Sequence, residues 1–156
     1  MPSLEQGSNR IVIAGASSLL GAELRSLLEE SRFASAEFRL VDEEIAAGVL
    51  TEAGGEPAVI QLVEQGTFER AGKIFFTGSI GFTRANLGAA KSAKAQIIDL
   101  SGATPGEAGT VSWFPKLDAL LARKFPKEAR IFAIPSAAAT AAASLALGLF
   151  KIGVSR

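Results

Sequence analysis

The chain has 156 residues, which is the size of one domain with a single core and too short for two full domains. Sixteen Lys and Arg residues balance sixteen Asp and Glu residues with no cationic stripe, which argues against a nucleic-acid partner. The absence of cysteine and histidine excludes disulfides and thiolate zinc sites, and it removes the usual metal ligand and general base. We therefore expect no metal site.

The two ends of the chain bear on localisation. The first ten residues are polar and lack the apolar core of a signal peptide. The one long apolar stretch, Ala137 to Phe150, is shorter than the ~20 apolar residues that cross a bilayer. We expect it to form a buried, alanine-rich helix and no membrane span. The sequence thus predicts a cytoplasmic protein with a flexible tail at residues 1–9 and a single domain at residues 10–156.

The first predicted elements are a strand, a tight turn and a helix. The strand is Arg10 to Ala14, R-I-V-I-A, and the helix runs from about Leu19 to Glu30. Its predicted apolar face consists of Leu20, Leu24, Leu27 and Leu28. A second strand, Glu37 to Val41, ends at an acidic cluster, and glycines then break up a small hairpin that ends near Val63.

The strand-and-helix alternation continues through the second half of the chain. Two buried strands, Lys73 to Thr77 and Gln96 to Leu100, are joined by a glycine-containing loop and a helix that carries Ala85, Ala89 and Ala93. A surface loop at Ser101 to Gly109 precedes a helix near Lys116 to Lys124 and a strand at Arg130 to Ala133. This order predicts an α/β fold with a mostly parallel sheet, helices on both faces and Arg10 to Ala14 near the centre.

The segment G-A-S-S-L-L-G joins the first strand to the first helix. Gly15 ends the strand and Gly21 falls within the helix, so backbone N–H groups and the helix dipole can approach a pyrophosphate. The alternative is that the glycines only permit a tight turn and close packing of helix on strand, and the motif alone favours neither interpretation. The candidate phosphate-binding residues are Gly15, Ala16, Ser17, Ser18, Leu19, Leu20 and Gly21.

An acidic residue follows at the spacing that a dinucleotide site requires. Asp42 lies 21 residues beyond Gly21 (42 − 21), at the end of the second strand, where a carboxylate accepts hydrogen bonds from the adenosine ribose. Its alternative role is an exposed acid in a charged loop, beside Glu43 and Glu44.

Five segments of the chain together resemble a known family. They are I-V-I-A-G-A-S-S-L-L-G, R-L-V-D-E-E-I-A-A-G, I-F-F-T-G-S-I-G, I-I-D-L-S-G and I-F-A-I-P-S-A-A-A-T. In this order they resemble the N-terminal portion of the aspartate-semialdehyde dehydrogenase family. The resemblance implies a Rossmann-like domain that binds a nicotinamide dinucleotide. Family members reduce an acyl phosphate through a thioester on a cysteine, and their acid/base histidine belongs to a second domain.

The chain departs from the family pattern at its chemistry. Ala137 stands at the place of the nucleophilic cysteine, and a methyl group cannot attack a carbonyl carbon. The segment Ile98 to Pro105 lacks the family's substrate-binding arginine, and Ser18 replaces the middle glycine of the phosphate loop. We therefore expect no catalytic residue and no dehydrogenase activity in this chain.

The loop Thr77 to Gly81 is similar to the family's loop of glycine and serine along the cofactor. Its small residues would allow close backbone approach, although an ordinary strand-to-helix turn has the same composition. The resemblance adds Thr77, Gly78, Ser79 and Gly81 to the candidate cofactor-binding residues.

The end of the second strand bears on cofactor choice. Glu43 and Ile45 stand where the family's NADP-binding members carry serine and arginine, and Asp42 precedes them. A 2′-phosphate beside two carboxylates meets like-charge repulsion, so we expect NAD to be preferred over NADP, with Asp42 and Glu43 as binding residues.

Two other interpretations stay open. The chain can be a scaffold that keeps the fold and the family's dimer surface and binds no cofactor. It can also be part of a larger protein whose catalytic domain covers the last helix, or a homo-oligomer in which that helix contacts another copy.

Overall fold

A computed structural model describes residues 9–151, so the predicted tail lies almost entirely outside the described residues. The first half of the chain forms a βαβ unit, which is followed by a hairpin and a short strand. Strand β1 (Arg10–Ala14) leads into helix α1 (Leu19–Glu29), strand β2 (Glu37–Asp42) and a single 3-10 turn (Glu44–Ala46). The predicted hairpin follows as β3 (Leu50–Ala53) and β4 (Glu56–Val59), with Gly54 and Gly55 at its turn, and then comes the short strand β5 (Gln61–Leu62).

The second half repeats the alternation. Strand β6 (Lys73–Phe76), helix α2 (Ile80–Ser92) and strand β7 (Gln96–Asp99) form one unit. Strand β8 (Thr110–Ser112), helix α3 (Pro115–Leu120), strand β9 (Ile131–Ala133) and helix α4 (Ala137–Lys151) complete the described chain.

Seven strands form one sheet in the order β5-β2-β1-β6-β7-β9-β8, and every pairing in it is parallel. The predicted α/β fold is confirmed, with β1 next to the middle strand β6. The chain leaves β1 for β2 on one side and returns to β6 on the other. The strand order therefore reverses between β1 and β6, which is where ligands bind in open sheets of this kind.

Alternate residues of β1 point into different cores, as the two-residue period of a strand requires. Ile11 and Ile13 pack with Leu28 of α1 on one face. Val12 and Ala14 pack with Leu87 of α2 on the other. Helices thus cover both faces, as predicted.

The buried faces of the two helices differ in part from the sequence-based prediction. Leu24 and Leu28 pack on the core as expected, whereas Leu20 and Leu27 are exposed. In α2 the buried residues are Phe82, Thr83, Leu87 and Ala90, and the alanines Ala85 and Ala89 face solvent. Small residues at a spacing of four do not by themselves identify the packed face.

Strand β8 was not predicted from the sequence. It is a three-residue edge strand that follows the glycine-rich loop and pairs in parallel with β9. Helix α3 is shorter than predicted and ends at Leu120, because Ala122 already takes a left-handed conformation with φ of 49°.

The prediction of a buried last helix was wrong in one respect. Residues 137–151 form a helix, but its described side chains are mostly exposed, including Leu145 at 67% and Leu149 at 45%. The sequence specifies an apolar helix, and within the described chain no element covers it. No helix in residues 9–151 is long and apolar enough to cross a membrane.

Candidate functional site

The candidate residues from three separate segments meet at one edge of the sheet. Because all seven strands are parallel, the loops that follow β1, β2 and β6 emerge on the same side. These loops contain the phosphate turn, the acidic pair and the loop Thr77 to Gly81. The structure thus brings together three candidate segments that are separate in the sequence.

Two glycines make the turn after β1 possible. Gly15 has φ of +98°, and a Cβ there would lie 2.1 Å from the amide nitrogen of Gly78. A Cβ on Gly21 would lie 2.5 Å from the carbonyl oxygen of Gly15. The loops after β1 and β6 are therefore in backbone contact, and α1 packs closely against the end of β1. This is the packing role that the sequence left open, and it also brings the N-terminus of α1 to the strand reversal.

Asp42 is a buried acid, 6% exposed, and its carboxylate organises the turn. Oδ2 accepts hydrogen bonds from the amide and the hydroxyl of Ser17, at 2.7 and 2.6 Å. Oδ1 accepts the amide of Glu43 at 2.8 Å. The interpretation of Asp42 as an exposed acid in a charged loop was wrong. The carboxylate joins the end of β2 to the phosphate turn, and three of its roughly four acceptor positions are filled.

Ser18, which the resemblance aligns with a glycine of the family, is the N-cap of α1. Its Oγ accepts the amide of Gly21 at 2.9 Å. The same oxygen lies 2.7 Å from the carbonyl oxygen of Gly15 and 3.0 Å from that of Thr77, so its proton bonds to one of these two. The Ser18 side chain is thus turned into the protein and ties α1 to the loop after β6.

Two backbone N–H groups at the start of α1 have no acceptor within the described part of the chain. The amides of Ala16, Ser17, Ser18 and Gly21 each donate within the protein. Among the described residues no protein acceptor meets the amides of Leu19 and Leu20, whose side chains are 80% and 42% exposed. Unpaired N–H groups in the first turn of a helix, with the positive end of its dipole, suit an anionic ligand.

The loop after β6 combines structural and exposed groups. Thr77 is buried, and its hydroxyl donates to the carbonyl of Gly15 at 2.9 Å. Ser79 caps α2 through its Oγ, which accepts the amide of Phe82 at 3.0 Å and donates to Oε1 of Glu43 at 2.9 Å. Gly81 is exposed in the first turn of α2 and its Cβ position is nearly open. A second acid–serine pair therefore spans the loops that follow β2 and β6.

The residue that the resemblance aligns with the family's nucleophile follows β9, at the same edge of the sheet. Ala137 is the first residue of α4, and Ser136 caps this helix by accepting the amide of Ala139 at 3.2 Å. Ala137 is exposed. The position that the sequence resemblance aligns with the family's cysteine therefore carries a methyl group at a helix N-terminus.

The segment Ile98 to Pro105 is held by a buried acid whose role the sequence did not indicate. Asp99 is fully buried and accepts four hydrogen bonds, from the amides and hydroxyls of Ser101 and Thr104, at 2.6 to 2.8 Å. This loop is a closed structural unit that offers no free cation. In residues 9–151 no group of three or more His, Cys, Asp or Glu side chains is placed to hold a metal ion.

The sequence did not indicate the hydrogen bonds between the loops. Ser17 and Asp42 are 25 residues apart, and Ser79 and Glu43 are 36 apart. Each pair is visible only once the parallel sheet brings the strand ends together. The nearest sequence signal was the placement of small polar residues directly after three predicted strands.

Comparison with known proteins places the chain among proteins of one fold. No family model matches it. A relative described as USG-1 protein homolog, from Azotobacter vinelandii, is 30% identical over 95 residues, or 61% of this chain and 28% of that protein. A probable aspartate-semialdehyde dehydrogenase from Pseudomonas aeruginosa superposes with a TM-score of 0.72 and 23% identity, over 83% of this chain and 38% of that one. The aspartate-semialdehyde dehydrogenase with NADP from Candida albicans gives 0.67 and 16%, over 94% and 48%.

The chain therefore spans less than half the length of each of these proteins. Its fold is that of part of the aspartate-semialdehyde dehydrogenases, a Rossmann-like α/β domain with a seven-stranded parallel sheet.

Proposed function

We propose that the chain is a nicotinamide-dinucleotide-binding domain of a semialdehyde dehydrogenase-like oxidoreductase and carries out no dehydrogenase chemistry itself. The observation that carries this is the turn after β1. At the point where the strand order reverses, Gly15 and Gly78 bring two loops into contact, and the amides of Leu19 and Leu20 have no acceptor among residues 9–151. A pyrophosphate at these amides would extend the ligand toward Asp42 on one side and toward Thr77 to Gly81 on the other.

The absence of chemistry follows from the composition of the chain. Ala137 cannot form a thioester, and the chain has no cysteine or histidine to replace the missing groups. The similar dehydrogenases are more than twice as long as the matched region, so a catalytic domain supplied by a larger protein is part of this proposal.

We further propose that NAD is preferred over NADP, although a similar solved structure contains NADP. Asp42 keeps one free acceptor position for a ribose hydroxyl, and the exposed carboxylate of Glu43 lies next to it. In the described chain neither acid forms an ion pair. A 2′-phosphate would face both carboxylates with no guanidinium to offset the repulsion.

Calorimetric titration with NAD, NADP and their reduced forms tests both proposals. We expect NAD to bind roughly ten- to a hundredfold more tightly than NADP, the equivalent of one charge-assisted hydrogen bond gained or lost. Glu43→Gln should narrow this ratio by improving NADP binding, and Glu56→Gln, an exposed acid on the distant hairpin, is the matched control. NADP binding equal to or tighter than NAD binding would contradict the cofactor choice.

The alternative function is a scaffold without cofactor, and specific contacts favour it. The hydroxyl of Ser17 already donates a hydrogen bond to Oδ2 of Asp42, and the hydroxyl of Ser79 donates one to Oε1 of Glu43. Ser18 stands in the place of the middle glycine. In this case the exposed helix α4 would serve a contact with a second domain or with another copy of the chain. Binding of neither nucleotide at millimolar concentration would select the scaffold.

A further inference from the structure

We propose that a hydrogen bond between Glu43 and Ser79 closes the candidate dinucleotide site in the free protein and has to break before a nucleotide binds. This inference rests on the dinucleotide-binding function proposed above. The hydroxyl of Ser79 donates to Oε1 of Glu43 at 2.9 Å, and we call this contact the Glu43–Ser79 bridge. The two residues are 36 positions apart, one in the loop after β2 and the other in the loop after β6.

The Glu43–Ser79 bridge spans the end of β1. In the sheet β1 lies between β2 and β6, and neighbouring strands are about 4.8 Å apart, so the ends of β2 and β6 are separated by roughly 10 Å. The side chains of Glu43 and Ser79 connect the two loops across this gap. A dinucleotide that contacts both Asp42 and the loop Thr77 to Gly81 has to cross the same gap. The bridge and such a ligand therefore compete for one space.

The loop after β6 is held in place by contacts that do not depend on the bridge. The backbone of Gly78 lies so close to Gly15 that neither residue has room for a side chain. The hydroxyl of Thr77 donates to the carbonyl of Gly15 at 2.9 Å. The Ser79 oxygen also caps α2 by accepting the amide of Phe82 at 3.0 Å. Ser79 therefore keeps its position whether the bridge is formed or broken.

The side chain of Glu43 is the part of the bridge that can move. It is exposed, it makes no capping bond to the 3-10 turn that follows, and within the described chain it forms no ion pair. The turn itself is held by its backbone, because the amide of Ala46 donates to the carbonyl of Glu43 at 3.0 Å and Ala46 is buried. Rotation of one side chain thus opens the bridge and leaves the loop unchanged. Exposed side chains rotate within nanoseconds, so opening is fast compared with binding.

A bridge of this kind lowers nucleotide affinity through the association rate. Only molecules with an open bridge accept the ligand, so the apparent affinity is reduced by the open fraction. A single hydrogen bond at the surface lowers the affinity roughly three- to tenfold. The bridge is already broken in the complex, so it does not change the dissociation rate. A residue that contacts the bound nucleotide would instead slow dissociation.

Stopped-flow binding of NADH to the full chain, followed by the fluorescence of the nucleotide, tests the bridge. We expect Glu43→Ala and Ser79→Gly each to raise the association rate and the affinity about three- to tenfold, with the dissociation rate unchanged. Glycine is used at position 79 because it is tolerated at a helix N-cap. The double variant should gain no more than either single variant, since both changes remove the same bond.

Two further variants separate the bridge from the charge of Glu43. Glu43→Gln keeps an oxygen that accepts the Ser79 hydroxyl, but it removes the negative charge that repels a pyrophosphate. Its gain should be smaller than that of Glu43→Ala and should be lost at high salt, because salt screens the interaction between charges. Glu56→Ala, at an exposed acid on the hairpin, is the matched control and should bind NADH at the rate of the unmodified chain.

Three results would overturn the bridge and leave the proposed function in place, because NADH still binds in each. Equal gains for Glu43→Ala and Glu43→Gln would assign the effect to charge alone. Weaker binding with faster dissociation in Glu43→Ala would make Glu43 a contact of the bound nucleotide. Gains that add in the double variant would show two independent effects. If neither the unmodified chain nor any variant binds NADH at millimolar concentration, the bridge and the dinucleotide-binding function are both wrong.

Discussion

At the scale of single residues, the turn after β1 depends on a glycine that no other residue can replace. We predict that Gly15→Ala destabilises the fold by about 3 kcal/mol or more, because it adds a backbone clash to a strained left-handed conformation. The new Cβ would lie 2.1 Å from the Gly78 nitrogen, and φ at this position is +98°. Urea unfolding followed by circular dichroism measures the loss.

The control for this change is a glycine with space around it. Gly88 lies on the exposed side of α2 with no atom within 4 Å of its Cβ position. Gly88→Ala should stabilise the protein by up to about 1 kcal/mol, because alanine is the better helix former. Similar effects at Gly15 and Gly88 would contradict the packing role of Gly15.

The buried carboxylate of Asp99 provides a second prediction at this scale. Both of its oxygens accept two hydrogen bonds, so Asp99→Asn would point an amide NH₂ at groups that are themselves donors. We expect a loss of about 2–4 kcal/mol in the free energy of unfolding, since buried donors would be left unpaired. An unchanged urea midpoint would show that the loop does not need the charge.

Glu107→Gln is the matched control, because it makes the same change on the surface. A hydrogen bond from Lys91, at 2.9 Å, lowers the pKa of Glu107. The ion pair therefore contributes at pH values above the ordinary pKa of a glutamate, and its contribution is lost as the pH falls through the lowered pKa. Solvent screens this exposed pair, so Glu107→Gln should unfold at nearly the urea concentration of the unmodified chain.

At the scale of elements, α1 begins at a side-chain cap that also joins two loops. Ser18→Ala removes the acceptor for the Gly21 amide and the bond to the carbonyl of Gly15 or Thr77. We predict a loss of about 1–2 kcal/mol, the upper part of the range for an N-cap. The exposed hydroxyl of Ser92, at the end of α2, donates to the carbonyl of Gly88 within the same helix, and Ser92→Ala should be neutral. Equal midpoints for the two variants would argue against the cap.

The elements that the sequence predicted well are those with one dominant signal. The residues of β1, β6 and β7 are buried or half-buried apart from Gln96, so these strands appear as short, largely apolar runs. Strand β8 has only three residues and gains its strand character from β9, which a local pattern cannot reveal. The bounds of α4 were predicted correctly, but its predicted burial was wrong, because an apolar composition indicates that a helix needs cover and not that its own chain provides it.

In the candidate site, too, the local features could be predicted from the sequence and the contacts between distant segments could not. The turn with Gly15 and Gly21 could be predicted because its backbone requirements are local. The hydrogen bonds from Ser17 to Asp42 and from Ser79 to Glu43 form only because three strand ends meet at one edge of the sheet. Spacing along the chain suggested a free ribose acceptor at Asp42, and the fold shows a carboxylate with most of its positions filled.

At the scale of the whole molecule, a cysteine placed at position 137, which the resemblance aligns with the family's nucleophile, separates thiol reactivity from catalysis. Ala137 is exposed at the first position of α4, where the helix dipole and free amides lower the pKa of a thiol. We predict that Ala137→Cys reacts severalfold faster with a disulfide reagent at neutral pH than Ala89→Cys, a cysteine at an exposed mid-helix position of α2.

The same variant should nevertheless show no phosphate-dependent oxidation of aspartate semialdehyde above the level of Ala89→Cys. The chain contains no histidine to transfer the proton, and Asp99 fills the loop where a substrate-binding arginine would be expected. Turnover by Ala137→Cys with either nicotinamide cofactor would show that one residue separates this chain from an enzyme. A reactive but inert thiol would instead indicate that catalysis needs groups from a second domain, as the lengths of the similar dehydrogenases suggest.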